Sequence, residues 1–192
     1  MIVRPTALAD VLLIEPRVFG DARGFFLETF SGARYRDAGI EGPFVQDNVS
    51  MSKRGVLRGL HYQEPNGQGK LVQVLAGEVF DIAVDVRLGS PTFGKWVGAT
   101  LSSANKHQLY IPAGFAHGFL VVSDEALFHY KCTHPYDPAS ERSIRWNDPA
   151  LGIEWPLHEI VLSERDAAAP LLSEMPRDHL PRYTASAERV AK

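Results

Sequence analysis

The sequence predicts a mainly β protein, an antiparallel sandwich or barrel with a few short helices. Three observations carry that expectation. Strand-length segments rich in β-branched and apolar residues recur between residues 11 and 133, and Gly and Pro punctuate them at strand-length intervals. Only residues 31–38 combine a helix-starting residue with a run of helix formers. No repeat, low-complexity tract or composition break divides the chain, so residues 1–192 read as a single domain.

In chain order, residues 11–14 form a first short strand stopped by Pro16, residues 19–24 a turn, and residues 25–30 a second strand. Ser31 caps the one helix and Gly39 ends it. Residues 44–52 are extended, and alternation puts Gln46, Asn48 and Ser50 on one face and Val45, Asp47 and Val49 on the other. Residues 56–63, 71–75 and 78–86 carry the densest strand signal, with Ala76-Gly77 as a tight turn. In the last of these, Phe80, Ile82, Val84 and Val86 oppose Asp81, Ala83 and Asp85. Residues 91–101, 107–112, 117–122 and 127–133 continue the pattern. After Thr133 the chain turns loop-like, with a short strand expected near residues 160–163 and a C-terminal helix after it.

The net charge of −3, from 20 basic and 23 acidic residues, supplies no field for nucleic acid or an acidic membrane. An anionic ligand must therefore meet locally placed Arg and Lys. One cysteine, Cys132, excludes an internal disulfide and a zinc framework and fits a reducing cytoplasm. Arg4, Pro5 and Asp10 break the N-terminal apolar patch, so it does not read as a signal peptide. No apolar run has membrane-spanning length.

Chemistry concentrates in Arg58-Gly59-Leu60-His61-Tyr62-Gln63, closed by Lys70. That stretch offers a fixed cation, a near-neutral base and a second cation for developing negative charge. Of seven histidines, His61 and His117 stand in apolar strand surroundings, where an imidazole needs a partner. Residues 112–117 have the Pro-x-Gly-x-x-His spacing of the second cupin motif, and the chain resembles a cupin-type jelly roll there. The metal-binding first motif is broken: Gln63 stands where a ligand would, and Lys70 where a carboxylate would. An amide is a poor transition-metal ligand and an ammonium repels a cation, so no metal and no cofactor are expected.

Gly20-Asp21-Ala22-Arg23-Gly24, Gln46-Asp47-Asn48-Val49-Ser50, residues 55–63, 112–118, 130–133 and 162–166 together resemble the dTDP-4-dehydrorhamnose 3,5-epimerase family, in register over residues 19–172. The resemblance implies His61 as catalytic base, Tyr130 as proton donor, Asp166 as the acid orienting the histidine, and Lys70 beside the keto oxygen. It implies substrate contacts at Arg23, Glu28, Gln46, Asp47, Asn48, Arg58, His117 and Glu141, with Phe26 and Tyr136 as pocket walls. Arg165 stands where the family commonly has lysine, which changes the shape of any contact carried over to it. The implied substrate is a dTDP-4-keto-6-deoxyhexose, and the implied assembly a homodimer.

Residue chemistry agrees with these roles. A proton beside a ketone becomes removable when the enolate oxygen is stabilised, which suits Lys70. Inversion needs groups on two faces of the carbon, which His61 and Tyr130 would supply. Other readings stay open at four positions: Tyr130 as core, Asp166 as a helix cap, Arg23 as a turn residue and Lys70 in solvent. Regular alternation also sets Arg58 and His61 on opposite faces, so a shared pocket requires a bulge at Gly59. The rival functions are a single-site 3-epimerase, a metal-dependent cupin and a non-catalytic sugar-nucleotide binding module.

Overall fold

The computed structural model describes residues 1–40 and 42–184. In chain order its elements are β1 (Ile2–Pro5), β2 (Leu12–Glu15), β3 (Val18–Asp21), β4 (Gly24–Leu27), α1 (Gly32–Asp37), β5 (Gln46–Lys53), β6 (Leu57–Gln63), β7 (Lys70–Ala76), β8 (Glu78–Asp85), β9 (Trp96–Ser102), β10 (Gln108–Ile111), β11 (Phe115–Val121), β12 (Glu125–Cys132), β13 (Glu141–Ser143) and α2 (Glu164–Ala167). A six-stranded sheet, β1-β2-β10-β7-β12-β5, faces a five-stranded one, β13-β6-β11-β8-β9. From β5 onward the chain steps back and forth between the two sheets except at the β8–β9 hairpin, the cupin-type jelly roll that the sequence predicts. The β3–β4 hairpin belongs to neither sheet.

Alternation explains the main core. Val72 and Val74 of β7, Ala126 and Phe128 of β12, Val79 and Ala83 of β8, and Phe115, Phe119 and Val121 of β11 point between the sheets. Each large side chain fully buried here contributes roughly 1.5–3 kcal/mol relative to exposure. The other face of β8 is buried too: Ile82, Val84 and Val86 lie under Ile144, Leu151, Leu172, Met175 and Leu180 of the C-terminal segment. The acidic face of β8 therefore turns inward, and Asp81 and Asp85 lie inside the protein rather than in water. On the outer face of the six-stranded sheet, α1 contributes only Tyr35 to a third cluster with Ile14, Ile40, Leu71 and Tyr110.

The turn at Gly77 requires glycine: φ is +79°, and a Cβ there would meet the Glu125 carbonyl oxygen at 2.0 Å. Several boundaries differ from expectation. β9 begins at Trp96 rather than at residue 91, because residues 91–94 form a turn that ends on Gly94 with φ +74°. β11 begins at Phe115, so His117 lies within the strand instead of opening it. The expected strand near residues 160–163 is a single parallel bridge between Val56 and Val161. The expected C-terminal helix appears, among the described residues, as the four-residue α2 and two 3-10 turns; residues 185–192 lie outside the described part. No described helix is long and apolar enough to cross a membrane.

Candidate active site

The site begins with an irregularity. His117 of β11 pairs with His61 of β6, and Phe119 pairs with Arg58, so three steps along β6 oppose two along β11. That bulge, expected from the sequence at Gly59, returns Arg58 and His61 to one cavity. Gly59 has φ +141°, and a Cβ on it would sit 2.5 Å from the Gly118 Cα. The two strands touch through glycine backbone, with no room for a side chain on either.

The cavity has a volume of about 410 Å³ and is lined by Arg58, His61, Lys70, His117, Tyr130, Arg165 and Asp166 among Leu57, Phe119 and Phe128. His61 Nε2 lies 2.6 Å from Asp166 Oδ1. Asp166 occupies the first turn of α2, where its own N–H is capped by Ser163 Oγ at 3.1 Å. Ser163 is thus the cap, and the Asp166 carboxylate turns to His61. Burial works to raise the Asp166 pKa, but the hydrogen bond and charge of His61, joined by hydrogen bonds from Ser163 and the Gly59 N–H, outweigh it and hold the carboxyl below its usual range. With Nε2–H committed to Asp166, His61 keeps Nδ1 as its free basic nitrogen.

Lys70, at the start of β7, is buried rather than solvated, and its Nζ reaches the His61 carbonyl at a long 3.4 Å. Tyr130 comes from β12 and His61 from β6, so phenol and imidazole enter the cavity from the two facing sheets. Burial pushes the Tyr130 pKa up, keeping the phenol protonated. His117 is buried with Nε2 2.9 Å from Asp81 Oδ2. Arg58 donates from Nε to Ser52 Oγ at 3.1 Å. Ser50 also lines the cavity, and its buried Oγ has no hydrogen-bond partner.

At the rim, Glu141 of β13 joins Arg165 at 2.7 Å and the Tyr136 hydroxyl at 2.5 Å. Gln46 Oε1 accepts from the Tyr136 N–H at 2.8 Å, and Gln46 Nε2 donates to Asn48 Oδ1 at 2.9 Å. Asp47 does not join them: alternation turns it to the exposed face of β5, where Lys131 holds it at 2.8 Å. Nor do Arg23, Phe26 and Glu28 line the cavity. Arg23 and Phe26 stand on the β3–β4 hairpin beside a separate surface groove. Arg23 pairs with Asp21 at 2.6 Å, Phe26 is 70% exposed, and Glu28 pairs with Arg34.

Comparison with known proteins agrees with this architecture. The model of the family described as dTDP-4-dehydrorhamnose 3,5-epimerase matches residues 5–174. The dTDP-4-dehydrorhamnose 3,5-epimerase of Salmonella typhimurium is 58% identical over 177 residues, covering 91% of this chain and 97% of that protein. The chain belongs to this epimerase family. A dTDP-6-deoxy-D-glucose-3,5-epimerase from Legionella pneumophila, solved in complex with dTDP-4-keto-L-rhamnose, superposes with a TM-score of 0.94 at 57% identity, covering 96% of this chain and 99% of that one. A 3'-monoepimerase from Streptomyces bikiniensis, in complex with dTDP-quinovose, is similar at TM-score 0.90 and 41% identity, with 96% of each chain covered.

As an epimerase of this family the protein is an isomerase, and its donor set does not suit a cupin metal. Gln63 Oε1 accepts from the Asp137 N–H at 3.0 Å and its Nε2 donates to the Asn66 carbonyl at 2.9 Å, so the amide braces a loop. Lys70 places an ammonium in the same cavity as His61 and His117, where it would repel a cation. Three site residues escaped sequence reasoning: Asp81, Ser50 and Ser163. Asp81 left a signal, a carboxylate in an otherwise apolar strand. Ser50 left only its place on the face shared with Gln46 and Asn48, and Ser163 left the Ser-x-x-acid spacing of a helix start, Ser163-Glu164-Arg165-Asp166.

Proposed function

We propose that this protein inverts C3 and C5 of dTDP-4-dehydro-6-deoxy-D-glucose, giving dTDP-4-dehydro-L-rhamnose through enolate intermediates and without a cofactor. The observation that carries the reading is the entry of His61 and Tyr130 from opposite sheets into one cavity floored by Lys70. His61 Nδ1 takes the proton from the carbon beside the C4 ketone, and the electron pair moves to the C4 oxygen. The Lys70 ammonium meets the charge that builds there, in surroundings poor in water. Tyr130 then returns a proton to the same carbon from the other face. C3 and C5 both flank C4, so one oxyanion site serves both inversions.

Arg58 and Arg23 suit the diphosphate, because a guanidinium fork binds two oxygens at once. Arg23, Phe26 and Glu28 stand apart from the cavity of their own chain, which favours a homodimer in which the hairpin of one copy reaches the site of the other. The exposed Val49 and Met51 on the edge strand β5 fit the same assembly. A monomeric mass at micromolar concentration would count against it. The buried free thiol of Cys132 fits a cytoplasmic enzyme.

Incubation with the keto-sugar nucleotide in heavy water, followed by NMR, tests the reading. Deuterium is expected at both C3 and C5, and His61→Asn should abolish incorporation at each; near-normal exchange in that variant removes His61 from the base role. The similarity to a 3'-monoepimerase favours a second reading, inversion at C3 alone, which the same spectrum identifies by protium retained at C5. A binding module would give no exchange.

A further inference from the structure

One face of β5 carries a polar residue at every second position: Gln46, Asn48, Ser50 and Ser52. Gln46 is bonded to Asn48 and to the Tyr136 N–H, and the Ser50 hydroxyl has no partner. Ser52 differs from all three. It is 6% exposed, stands near the corner where the chain leaves β5 for β6, and does not line the cavity. Burying a hydroxyl there is costly unless it is bonded. Its Oγ accepts from Arg58 Nε at 3.1 Å. That bond joins the six-stranded sheet to the five-stranded one at the edge of the cavity.

Arg58 is a side chain that gains from such a tether. It lines the cavity and is the exposed residue of β6. Two other arginines predicted to meet substrate are committed to carboxylates, Arg165 to Glu141 at 2.7 Å and Arg23 to Asp21 at 2.6 Å. Among the described residues Arg58 has no carboxylate partner, and its bond to Ser52 leaves both terminal amino groups unpaired. A long side chain gives up rotamer freedom when a ligand immobilises it. The bond to Ser52 takes part of that loss before the ligand arrives. It also selects an edge. A guanidinium can offer two parallel N–H groups from its Nε side or from its Nη1–Nη2 end. With Nε–H held by Ser52, the Nη1–Nη2 end is the edge left for a bidentate anion.

We propose that Ser52 is a positioning residue: it holds the Arg58 guanidinium so that Nη1 and Nη2 together meet the diphosphate of the substrate. The inference rests on Arg58 as a group that binds that diphosphate.

The test is the affinity for dTDP, by calorimetry, of Ser52→Ala, Arg58→Ala and the double variant, with kcat and KM on the keto-sugar nucleotide. Ser52→Ala should weaken dTDP about two- to tenfold, the equivalent of holding one flexible side chain, and raise KM to match with kcat near wild type. Arg58→Ala should weaken dTDP about ten- to a hundredfold, as the loss of a charged hydrogen-bonding group does. Adding Ser52→Ala to it should cost nothing further, because Ser52 acts through Arg58. A lower melting temperature with wild-type affinity and KM overturns the proposal, since Ser52 is then only a brace between the sheets. An equal loss from Ser52→Ala with and without Arg58 overturns it as well. So does a phosphate oxygen seated on Arg58 Nε, in place of Ser52, in a crystal of the dTDP complex. If Ala prevents folding, as judged by circular dichroism, Ser52→Cys, close in shape and a weak acceptor, is read for the same loss. Arg58→Ala separates the two layers. Wild-type affinity in that variant removes the diphosphate role of Arg58 and this inference with it, whereas a weakened Arg58→Ala beside an unchanged Ser52→Ala overturns the Ser52 role alone.

Discussion

The cavity and the β3–β4 hairpin carry residues of the same predicted kind, and the structure treats them differently. Arg58, His61, Lys70, His117 and Tyr130 come from four strands of two sheets and converge on one space. Arg23 stands on the turn, and Phe26 on one strand, of a two-stranded hairpin that belongs to neither sheet. The difference is what lies behind each side chain. Next to His61 and Tyr130 in their strands are Leu60, Tyr62 and Phe128, all buried, and the core sets which way each strand faces. Behind Phe26 there is no core: every residue of β3 is exposed, and β4 is little better covered. Direction comes from packing in the first region; the second has no buried core behind it to set one.

Replacing His61 breaks the first region most directly. His61→Asn should cost on the order of 10²–10⁴-fold in exchange, the usual worth of a positioned base. Asp166→Asn should cost less in rate but show in stability. The folded Asp166 carboxyl lies below its ordinary pKa. Its stabilisation is therefore complete above the ordinary carboxylate range and is lost as the pH falls through the depressed value. Melting temperature followed from neutral pH into acid should fall less steeply for Asp166→Asn than for wild type. Parallel curves would show that the bond to His61 does not stabilise the fold.

Gly59→Ala tests whether the bulge is what joins Arg58 to His61. Its Cβ would meet the Gly118 Cα at 2.5 Å, in a backbone conformation that side chains rarely adopt. Such strain costs about 1–3 kcal/mol, and the strands must part to relieve it. Both a lower melting temperature and weaker activity are expected. Lost stability with full activity would show that the register can slip without separating the two side chains.

The sequence made the first region legible because its residues sit in strands with strong alternation, and because the misfit between Arg58 and His61 itself pointed to a bulge. Lys70 and Asp166 were legible only through family resemblance: nothing in Gly67-Gln68-Gly69 says that the next side chain turns inward. Asp81 was visible as an acid in an apolar strand, but the C-terminal segment that covers the other face of β8 was not, so its inward direction was hidden. Residues 91–95 looked like strand by composition, and a positive φ at Gly94 made them a turn. For the hairpin, the family resemblance assigned Arg23, Phe26 and Glu28 to substrate but carried no information about whether they reach the cavity of their own chain.

The hairpin variants sharpen the other half of the comparison. Arg23→Ala and Phe26→Ala remove side chains that touch little within their own chain, so the melting temperature of the subunit should hardly move. If a second copy presents this hairpin to the cavity, KM should rise about tenfold, the worth of one good contact, while kcat changes little. Unchanged KM in both variants would leave the hairpin outside the site altogether.

Ser50→Ala carries the smallest expected effect and separates two explanations of a buried polar atom. The Ser50 Oγ lies at the cavity wall without a partner, and an unsatisfied buried hydroxyl ordinarily costs about 1–3 kcal/mol. If the hydroxyl is kept for substrate, Ala should raise KM several-fold at constant kcat and leave the protein as stable as before or slightly more so, because the orphaned group is gone. If it only fills space, KM should stay put. A protein that loses both stability and affinity would contradict both, since it would mean that Ser50 bonds to its own chain in the absence of ligand. The three outcomes fall on different axes, so one melting curve and one KM decide among them, and a modest variant reports whether the orderly wall of the cavity was shaped by packing or by the sugar it receives.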